Sequence, residues 1–296
     1  MTDIVSTGVV PVTAPLSPTR LAVRRFTQHR LAVAGAIVLL LLVLVAVFGP
    51  LLYPVDPNAV DVFASRKPPS AEHPLGTDSA GRDVVARLLS GGRVSLTVAL
   101  AATIGAAAIG AILGATAGYL RGPVDATLSR IADVVLSFPT LIVLTAIVAF
   151  VGPSLQTLVI ALALFEWPQA YRIVRGATLS LREQEFVVAA KGLGGSGIWV
   201  LGRHILPAVV PPLTVVATLL IAQAILLEAT LSFLGLGVQP PTASWGNMLN
   251  EAQSLTILQS MPWLWLPPGI LIAIAVLAVN FVGDGLRDAA DPRRMK

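Results

Sequence analysis

The chain has 296 residues, of which 55% are hydrophobic and only 12% are charged. Soluble domains carry about a quarter charged residues, so this composition excludes an ordinary water-soluble enzyme and indicates an integral membrane protein. The sequence contains no cysteine, which excludes a disulfide framework and any thiolate metal site. The net charge of +4 is not concentrated in long basic runs, so it does not predict a nucleic-acid partner.

A helix needs about 20 apolar residues to cross the hydrocarbon core of a bilayer, and the sequence offers six stretches of that kind. The third and fourth lie within one long uncharged segment, which we divide at the Gly152-Pro153 pair because this pair favours a turn. The six predicted spans are residues 31–52, 94–120, 134–151, 154–171, 205–234 and 263–283.

The distribution of basic residues predicts how these spans are oriented, because Lys and Arg are enriched in cytoplasmic loops. With a cytoplasmic N-terminus, most basic residues fall in the tail 1–30, in the cytoplasmic loops and in the tail 286–296. The sequence therefore predicts an all-α membrane protein with both termini in the cytoplasm. Its parts are a first span at 31–52, an extracytoplasmic loop at 53–93 and a five-helix core at 94–285.

The second predicted span carries Gly110, Gly114 and Gly118 at four-residue spacing, which places them on one face of a helix. Small residues in such a stripe let apolar helices approach closely in a bilayer. Packing within this chain and contact with another subunit explain the stripe equally well.

Two loops are expected on the outer side. The first, residues 53–93, is rich in proline, which predicts extended chain and turns. From Arg82 onwards apolar residues return at helical spacing, which favours a short helix lying along the membrane surface. The second loop, residues 235–262, combines a proline pair with Trp245 and is interpreted as a rigid cap.

Residues that could carry chemistry are few. His73, Asp78 and Asp83 are metal-ligand types, but their spacing does not bring them to a common site, so no metal is predicted. The sequence has no Gly-x-x-x-x-Gly-Lys-Ser/Thr motif and no nucleophile elbow, so we expect no enzyme activity and no cofactor in this chain. Any ATP hydrolysis then belongs to a partner chain.

Glu228 is the one acid expected deep in the bilayer, in the outer half of the fifth span. An intramembrane acid is a functional hypothesis by default, because burying its charge is costly. Glu228 either forms hydrogen bonds inside the helix bundle or lines a substrate path. A gradient-driven carrier or channel that uses Glu228 is therefore a second hypothesis for the function, and a membrane-embedded enzyme is a third and weaker one.

The longest cytoplasmic loop, residues 172–204, has a distinctive pattern. Residues 183–191 predict a short helix with acids in its first turn and Lys191 at its end, which matches the helix dipole. Glycines then interrupt the helix, and residues 198–205 resume it. The loop is either a solvated connector or a compact knob, whose small residues Ala189 and Ala190 suit insertion into a groove of another protein.

This loop carries the first part of a resemblance to a known family. Residues 188–190, Gly194 and residues 206–207 keep the spacing of the signature Glu-Ala-Ala, three residues, Gly, nine residues, Ile, one residue, Leu-Pro. Val188 replaces the signature Glu and His204 replaces the Ile. In this pattern the sequence resembles the inner-membrane permease subunits of binding-protein-dependent ABC importers.

Three further segments, 73–83, 232–246 and 283–293, are similar to the dipeptide, oligopeptide and nickel group of that family. The N-terminal span and first outer loop resemble the second of the two permeases that such importers pair. The resemblance implies a type I ABC importer permease fold in a bacterial plasma (inner) membrane. It also implies alternating access, with bending points at Pro139, Pro207, Pro211 and Pro212.

The resemblance implies partners and roles as well. The partners are a second homologous permease, one or two P-loop ATPase subunits that hold ATP and Mg, and an extracytoplasmic substrate-binding protein. The cargo is a dipeptide or oligopeptide, with nickel or another small solute as the alternative. The ATPase-coupling residues would be Glu185, Phe186, Ala189, Ala190, Lys191, Gly192 and Gly194. The outer cap or binding-protein contact would be formed by Asp78, Arg82 and Trp245.

Overall fold

The computed structural model describes residues 18–290, and every element of regular structure in this range is a helix. The α-helices are α1 (Pro18–Gln28), α2 (Arg30–Leu52), α3 (Val84–Leu120), α4 (Gly122–Ser137), α5 (Thr140–Val151), α6 (Leu155–Leu181), α7 (Glu185–Gly192), α8 (Gly197–Val200), α9 (Leu206–Phe233), α10 (Trp245–Leu249), α11 (Leu255–Ser260) and α12 (Pro262–Ala290). The remaining parts of the two predicted tails, 1–17 and 291–296, lie outside the described residues.

Within the described range, four helical segments are long and apolar enough to cross a membrane: α2, α3, α8 with α9, and α12. The bent pair α4 and α5 makes a fifth if it is one span. The predicted span 154–171 lies in α6, which has 27 residues but includes Glu166 and Arg172 and does not reach the same apolar character. An all-helical membrane protein is thus confirmed, while the count of six spans and the orientation of the termini stay predictions.

The N-terminal end of α3 corrects one prediction. No separate helix lies along the membrane surface after Arg82, because α3 begins at Val84 and runs without a break for 37 residues. Asp83 caps its N-terminus, with Oδ1 accepting the N–H of Ala86 at 2.9 Å. The apolar face formed by Val84 and Leu88 is buried inside the protein. A helix of this length spans about 55 Å, so it extends well beyond a bilayer core of about 30 Å.

The third predicted span, 134–151, is also wrong as a single straight helix. The chain is helical from Gly122, turns by 86° between α4 and α5, and continues to Val151. The break contains Pro139, which cannot donate a backbone hydrogen bond and which disfavours helical geometry at Phe138. The proline expected to act as a bending point therefore lies at the bend.

The glycine stripe of α3 packs within this chain. A β-carbon on Gly110, Gly114 or Gly118 would lie 2.7–2.8 Å from a backbone oxygen of α6, closer than real β-carbons approach. The facing oxygens belong, in the same order, to Trp167, Tyr171 and Arg175. Because both series advance by four residues, α3 and α6 run parallel in direct contact, and of the two interpretations of the stripe the one within the chain holds.

The remaining long helices complete the bundle around α3 and α6. The second helix, α2, meets α12 at Gly35, where a β-carbon would lie 2.7 Å from the Ala278 oxygen. Much of the rest of α2 exposes Leu, Ile, Val and Phe side chains, as a helix facing lipid does. One core cluster joins α3, α9, α10 and α12, and others join α3 to α6 and α9.

Candidate functional site

Two regions hold the residues singled out by the sequence. One is a protrusion between α6 and α9, on the side predicted to face the cytoplasm, and the other is a polar cluster where α3 begins and α9 ends, on the side predicted to face outward and called the outer side below. The protrusion consists of α7, a glycine elbow and α8, and a π-helical turn, Leu201–Ile205, joins it to α9. The helix predicted at 183–191 is present as α7, Glu185–Gly192. Glu185 and Lys191 occupy its first and last turns, which matches the helix dipole.

The elbow needs two of its glycines for different reasons. Gly194 has a φ of +88°, a left-handed conformation that a β-carbon disfavours. Gly195 donates its N–H to the Ala190 oxygen at 3.0 Å, and a β-carbon there would lie 2.7 Å from that same oxygen. At Gly192 a β-carbon would meet nothing within 4 Å, so this position does not require glycine.

The base of the protrusion is held firmly on the bundle. Val187 of α7 is fully buried in a cluster with Val174 of α6 and Val209 of α9. The ammonium of Lys191 lies 4.5 Å from the centre of the Tyr119 ring at the end of α3, a cation–π contact. The short helix α7 is therefore in direct contact with three long helices.

The tip of the protrusion is apolar and open to solvent. Leu193 and Ile198 are 91% and 87% exposed, and Phe186, Val188 and Trp199 are about half exposed. Exposed apolar side chains grouped on one protrusion are typical of a surface that binds another protein or a membrane. Ala189, beside this tip, is exposed as well, and Ala190 is partly buried.

The outer cluster centres on Asp78. Its Oδ1 accepts the backbone N–H groups of Ala80 and Arg82 at 2.9 Å, and its Oδ2 accepts from Arg82 Nε at 2.7 Å and lies 3.3 Å from Arg87 Nε in an ion pair. The structure thus brings Asp78 and Arg82 together. Arg87 was not predicted as part of this cluster, because a charged residue in a helix along the membrane surface is expected to face water, whereas its side chain is 5% exposed.

Trp245 lies inside the cap rather than on its surface. The residue is 2% exposed, its Nε1 donates to the Leu88 oxygen at 3.1 Å, and its backbone N–H donates to Ser95 Oγ at 3.1 Å. The ring rests on Gly92, where a β-carbon would lie 2.8 Å away. Trp245 therefore has almost no exposed surface, and its expected role as a cap or as a binding-protein contact stays a prediction.

Glu228 is fully buried between α3 and α9. Its two carboxylate oxygens accept hydrogen bonds from Ser95 Oγ at 2.9 Å and Ser232 Oγ at 2.8 Å. Both bonds come from residues of this chain, which is the arrangement expected of a structural acid in a bundle.

Two polar features of α6 escaped the sequence reasoning. Glu166 is 1% exposed, and neither of its oxygens has a hydrogen-bond partner among residues 18–290. One turn further on, Gln169 donates to Gln223 of α9 at 3.0 Å. The charge of Glu166 was visible in the sequence, but its burial follows from the packing of α6 against α3 and α9.

The three metal-ligand types of the first outer loop do not converge. Asp83 Oδ2 lies 2.9 Å from His73 Nδ1 and accepts from the Tyr53 hydroxyl at 3.0 Å, whereas Asp78 is occupied by arginines. Among residues 18–290 no group of three or more His, Asp and Glu side chains is arranged to hold a metal ion.

Two family models match the chain. Residues 110–296 match the binding-protein-dependent transport system inner membrane component, and residues 17–69 match the N-terminal transmembrane domain of oligopeptide transport permease C. The first match covers more than half of the sequence and includes α6, the protrusion and α9.

Similar proteins extend over nearly the whole chain. A Brucella suis protein described as a peptide permease is 45% identical over 282 residues, which is 95% of this chain and 93% of that protein. The dipeptide transport system permease protein DppC of Alkalihalophilus pseudofirmus is 43% identical over 278 residues, 94% of this chain and 91% of that protein. A Brucella abortus protein described as a peptide transport system permease is 43% identical over 277 residues, 94% of this chain and 93% of that protein.

Proposed function

The chain belongs to the family of binding-protein-dependent transport system inner membrane components, and from this premise we propose that it is one of two permease subunits of an ATP-driven ABC importer. In this proposal the importer carries peptides across a bacterial plasma membrane by alternating access. The observation that carries the proposal is the protrusion of α7, the elbow and α8, which combines an exposed apolar tip with a firmly held base.

A permease without its own nucleotide site needs a mechanical link to the subunits that bind ATP and Mg. The sequence contains no P-loop motif, so hydrolysis must occur in a partner chain. Val187 and Lys191 connect the protrusion to α3, α6 and α9. A closing movement of a partner seated on the tip would therefore tilt these helices together, as a two-state bundle requires.

The tip itself is suited to a groove. Leu193 and Ile198 are almost fully exposed, and Phe186 and Ala189 extend the apolar surface along α7. A short helix with an apolar face is a common way of docking into a groove of another protein. We therefore assign the ATPase contact to residues 185–194.

The peptide cargo is supported by the relatives described as peptide and dipeptide permeases. In this proposal a second homologous permease completes the path, and an extracytoplasmic protein delivers the peptide to the outer side. Glu228 is assigned a structural role, because Ser95 and Ser232 occupy both of its oxygens. No observation on residues 18–290 favours a gradient-driven carrier over the importer.

The experiment is co-purification of the full chain with the products of its neighbouring genes, followed by uptake of a labelled dipeptide in cells. Leu193→Glu places a charge on the apolar tip. Leu193 is 91% exposed, so this substitution should leave the fold unchanged. We expect this variant to lose the ATPase subunit and to lower uptake about tenfold or more, because a desolvated charge opposes docking.

The matched control is Phe63→Glu, the same kind of change at a residue that is 89% exposed in the first outer loop. This variant should keep the ATPase subunit. The proposal fails if wild-type chain purifies without any P-loop subunit and passes solute alone, or if Leu193→Glu and Phe63→Glu retain the ATPase equally.

A further inference from the structure

The outer side of the chain contains a cavity of about 380 Å³ that neither the coupling role nor the bundle packing uses. The first outer loop, the start of α3, the loop after α9 and α10 enclose it. Sites for small molecules usually measure about 300–1,000 Å³, so the cavity can hold a ligand rather than a single ion.

One corner of the cavity is cationic. The guanidinium groups of Arg82 and Arg87 share a single oxygen of Asp78, so two positive charges meet one negative charge. The other oxygen of Asp78 is engaged by two backbone N–H groups, which leaves that carboxylate saturated. Arg82 and Arg87 are only 15% and 5% exposed, so this corner carries one positive charge in excess and has little contact with bulk water.

A second charged group lines the same cavity. Glu251 is fixed by Ser79, whose Oγ donates to Glu251 Oε1 at 2.7 Å. Val84, Met248 and Leu264 add an apolar wall. A ligand that matches all three features has one carboxylate, one ammonium group and small apolar parts.

We propose that this cavity receives a short peptide, with its C-terminal carboxylate on Arg82 and Arg87 and its ammonium group on Glu251. A guanidinium group binds carboxylate and phosphate alike, but a single excess positive charge beside an acid suits a zwitterion better than a dianion. The cavity would then be a receiving site on the outer side of the path. This inference rests on the peptide cargo of the proposed function.

The test is direct binding of the dipeptide Ala-Ala to the full chain in lipid nanodiscs, measured by calorimetry. The C-terminal amide of Ala-Ala lacks the carboxylate and should bind about tenfold more weakly or worse, since it loses charge-assisted hydrogen bonds. Arg82→Gln should weaken binding of Ala-Ala to a similar extent. This variant leaves Asp78 paired with Arg87, so the outer loop keeps one ion pair.

Two further variants make the test specific. Arg93→Gln removes an exposed arginine of α3 that does not line the cavity, and it should bind Ala-Ala like wild type. Glu251→Gln should weaken binding of Ala-Ala while leaving binding of N-acetyl-Ala-Ala unchanged, because the acetylated peptide has no ammonium group. Thermal unfolding of each variant checks that the fold is intact.

Several results would overturn the inference. The inference fails if Ala-Ala does not bind, if Arg82→Gln and Arg93→Gln bind Ala-Ala equally well, or if acetate alone binds as tightly as Ala-Ala. It also fails if Arg82→Gln affects only the docking of the binding protein. If Arg82→Gln cells still take up dipeptide while the nanodisc sample shows no binding, the receiving site is wrong and the importer stands. Binding that depends on Arg82, by a chain that co-purifies from cells with no ATPase subunit, supports the receiving site and defeats the importer.

Discussion

Ser95 on α3 donates a hydrogen bond of 2.9 Å to the buried carboxylate of Glu228 on α9. The same hydroxyl oxygen accepts the N–H of Trp245, the first residue of α10, at 3.1 Å. One serine therefore joins three helices at the outer end of the bundle. Glu228, which the sequence offered as a candidate for a substrate path, thus helps to connect α9 to α3 and, through Ser95, to α10.

Glu228→Leu should destabilise the protein, because the hydroxyls of Ser95 and Ser232 lose a buried acceptor. We expect the free energy of unfolding to fall by about 1–3 kcal/mol. Thermal unfolding in detergent, followed by tryptophan fluorescence, measures the loss. Glu228→Gln keeps one acceptor oxygen and should lose less. A Glu228→Leu protein that unfolds like wild type but no longer transports would assign the residue to the path instead.

Glu166→Leu should have the opposite effect on stability. Both carboxyl oxygens of Glu166 lie buried without a partner among residues 18–290, and burying an unpaired polar group costs free energy. The same unfolding assay should place Glu166→Leu above wild type and Glu228→Leu below it. If Glu166→Leu is the less stable protein, then Glu166 is bonded to a group outside this chain, and repeating the assay with the partner permease bound would locate that group.

Hydropathy and charge predicted the helical class, most of the spans and the short helix at 183–191, because these depend on local composition. The start of α3 could not be predicted in the same way. Arg87 has the pattern of a surface charge in the sequence, and only the fold shows that it is buried and paired with Asp78 inside the protein. The helix Gly122–Ser137 was not predicted for a related reason. It contains the charged residue Asp125, which forms an ion pair with Arg175 of α6 in the folded protein.

The glycine stripe was visible in the sequence, but its partner was not. Glycines at four-residue spacing predict a close helix contact whichever helix provides it. The helix in contact with the stripe is α6. The bent pair α4 and α5 lies between α3 and α6 in the sequence and returns the chain to the starting side, so α3 and α6 run parallel. Likewise, the prolines around Trp245 indicated a rigid cap, while its burial against Gly92 depended on a contact distant in the chain.

Gly110→Ala tests the contact between α3 and α6. The added β-carbon would lie 2.7 Å from the Tyr171 nitrogen and 2.8 Å from the Trp167 oxygen, so the helices must separate. Overpacking of this kind costs about 1–3 kcal/mol. Gly176→Ala is the matched control on α6, because its β-carbon would meet nothing within 4 Å and alanine favours a helix by about 1 kcal/mol. Equal unfolding temperatures for the two variants would contradict the direct contact.

Tyr53, at the end of α2, links stability to alkaline pH. Partial burial of its phenol, together with the hydrogen bond to Asp83 and the charge of Asp83, raises the pKa of Tyr53 above 10.0. The folded state thus favours the protonated phenol, and its contribution is complete below pH 10 and lost as the pH rises through the higher folded pKa. The stability difference between wild type and Tyr53→Phe should therefore shrink in this alkaline range. A difference that is constant from pH 9 upwards would contradict the coupling to Asp83.

The elbow of the protrusion allows a comparison of two glycines two residues apart. A β-carbon at Gly194 or at Gly192 would meet no atom within 4 Å, so neither substitution by alanine creates a clash. Only Gly194 has a left-handed φ, which costs a non-glycine residue about 1–2 kcal/mol. Gly194→Ala should therefore alter the direction in which the chain leaves α7, whereas Gly192→Ala should leave it unchanged.

The readout that separates a coupling elbow from a simple connector is ATP hydrolysis by the complete importer in lipid. With Gly194→Ala we expect stimulation of hydrolysis by the loaded binding protein to fall about fivefold or more, because the tip no longer presents Leu193 and Ile198 together. Uptake should fall by a similar factor. Basal hydrolysis by the ATPase subunits should continue. Gly192→Ala lies in the same proposed contact but adds only a methyl group and leaves the backbone direction unchanged, so it should keep most of the stimulation. If both variants are stimulated fully, the elbow does not transmit the movement, and the base contacts of Val187 and Lys191 become the residues to change next.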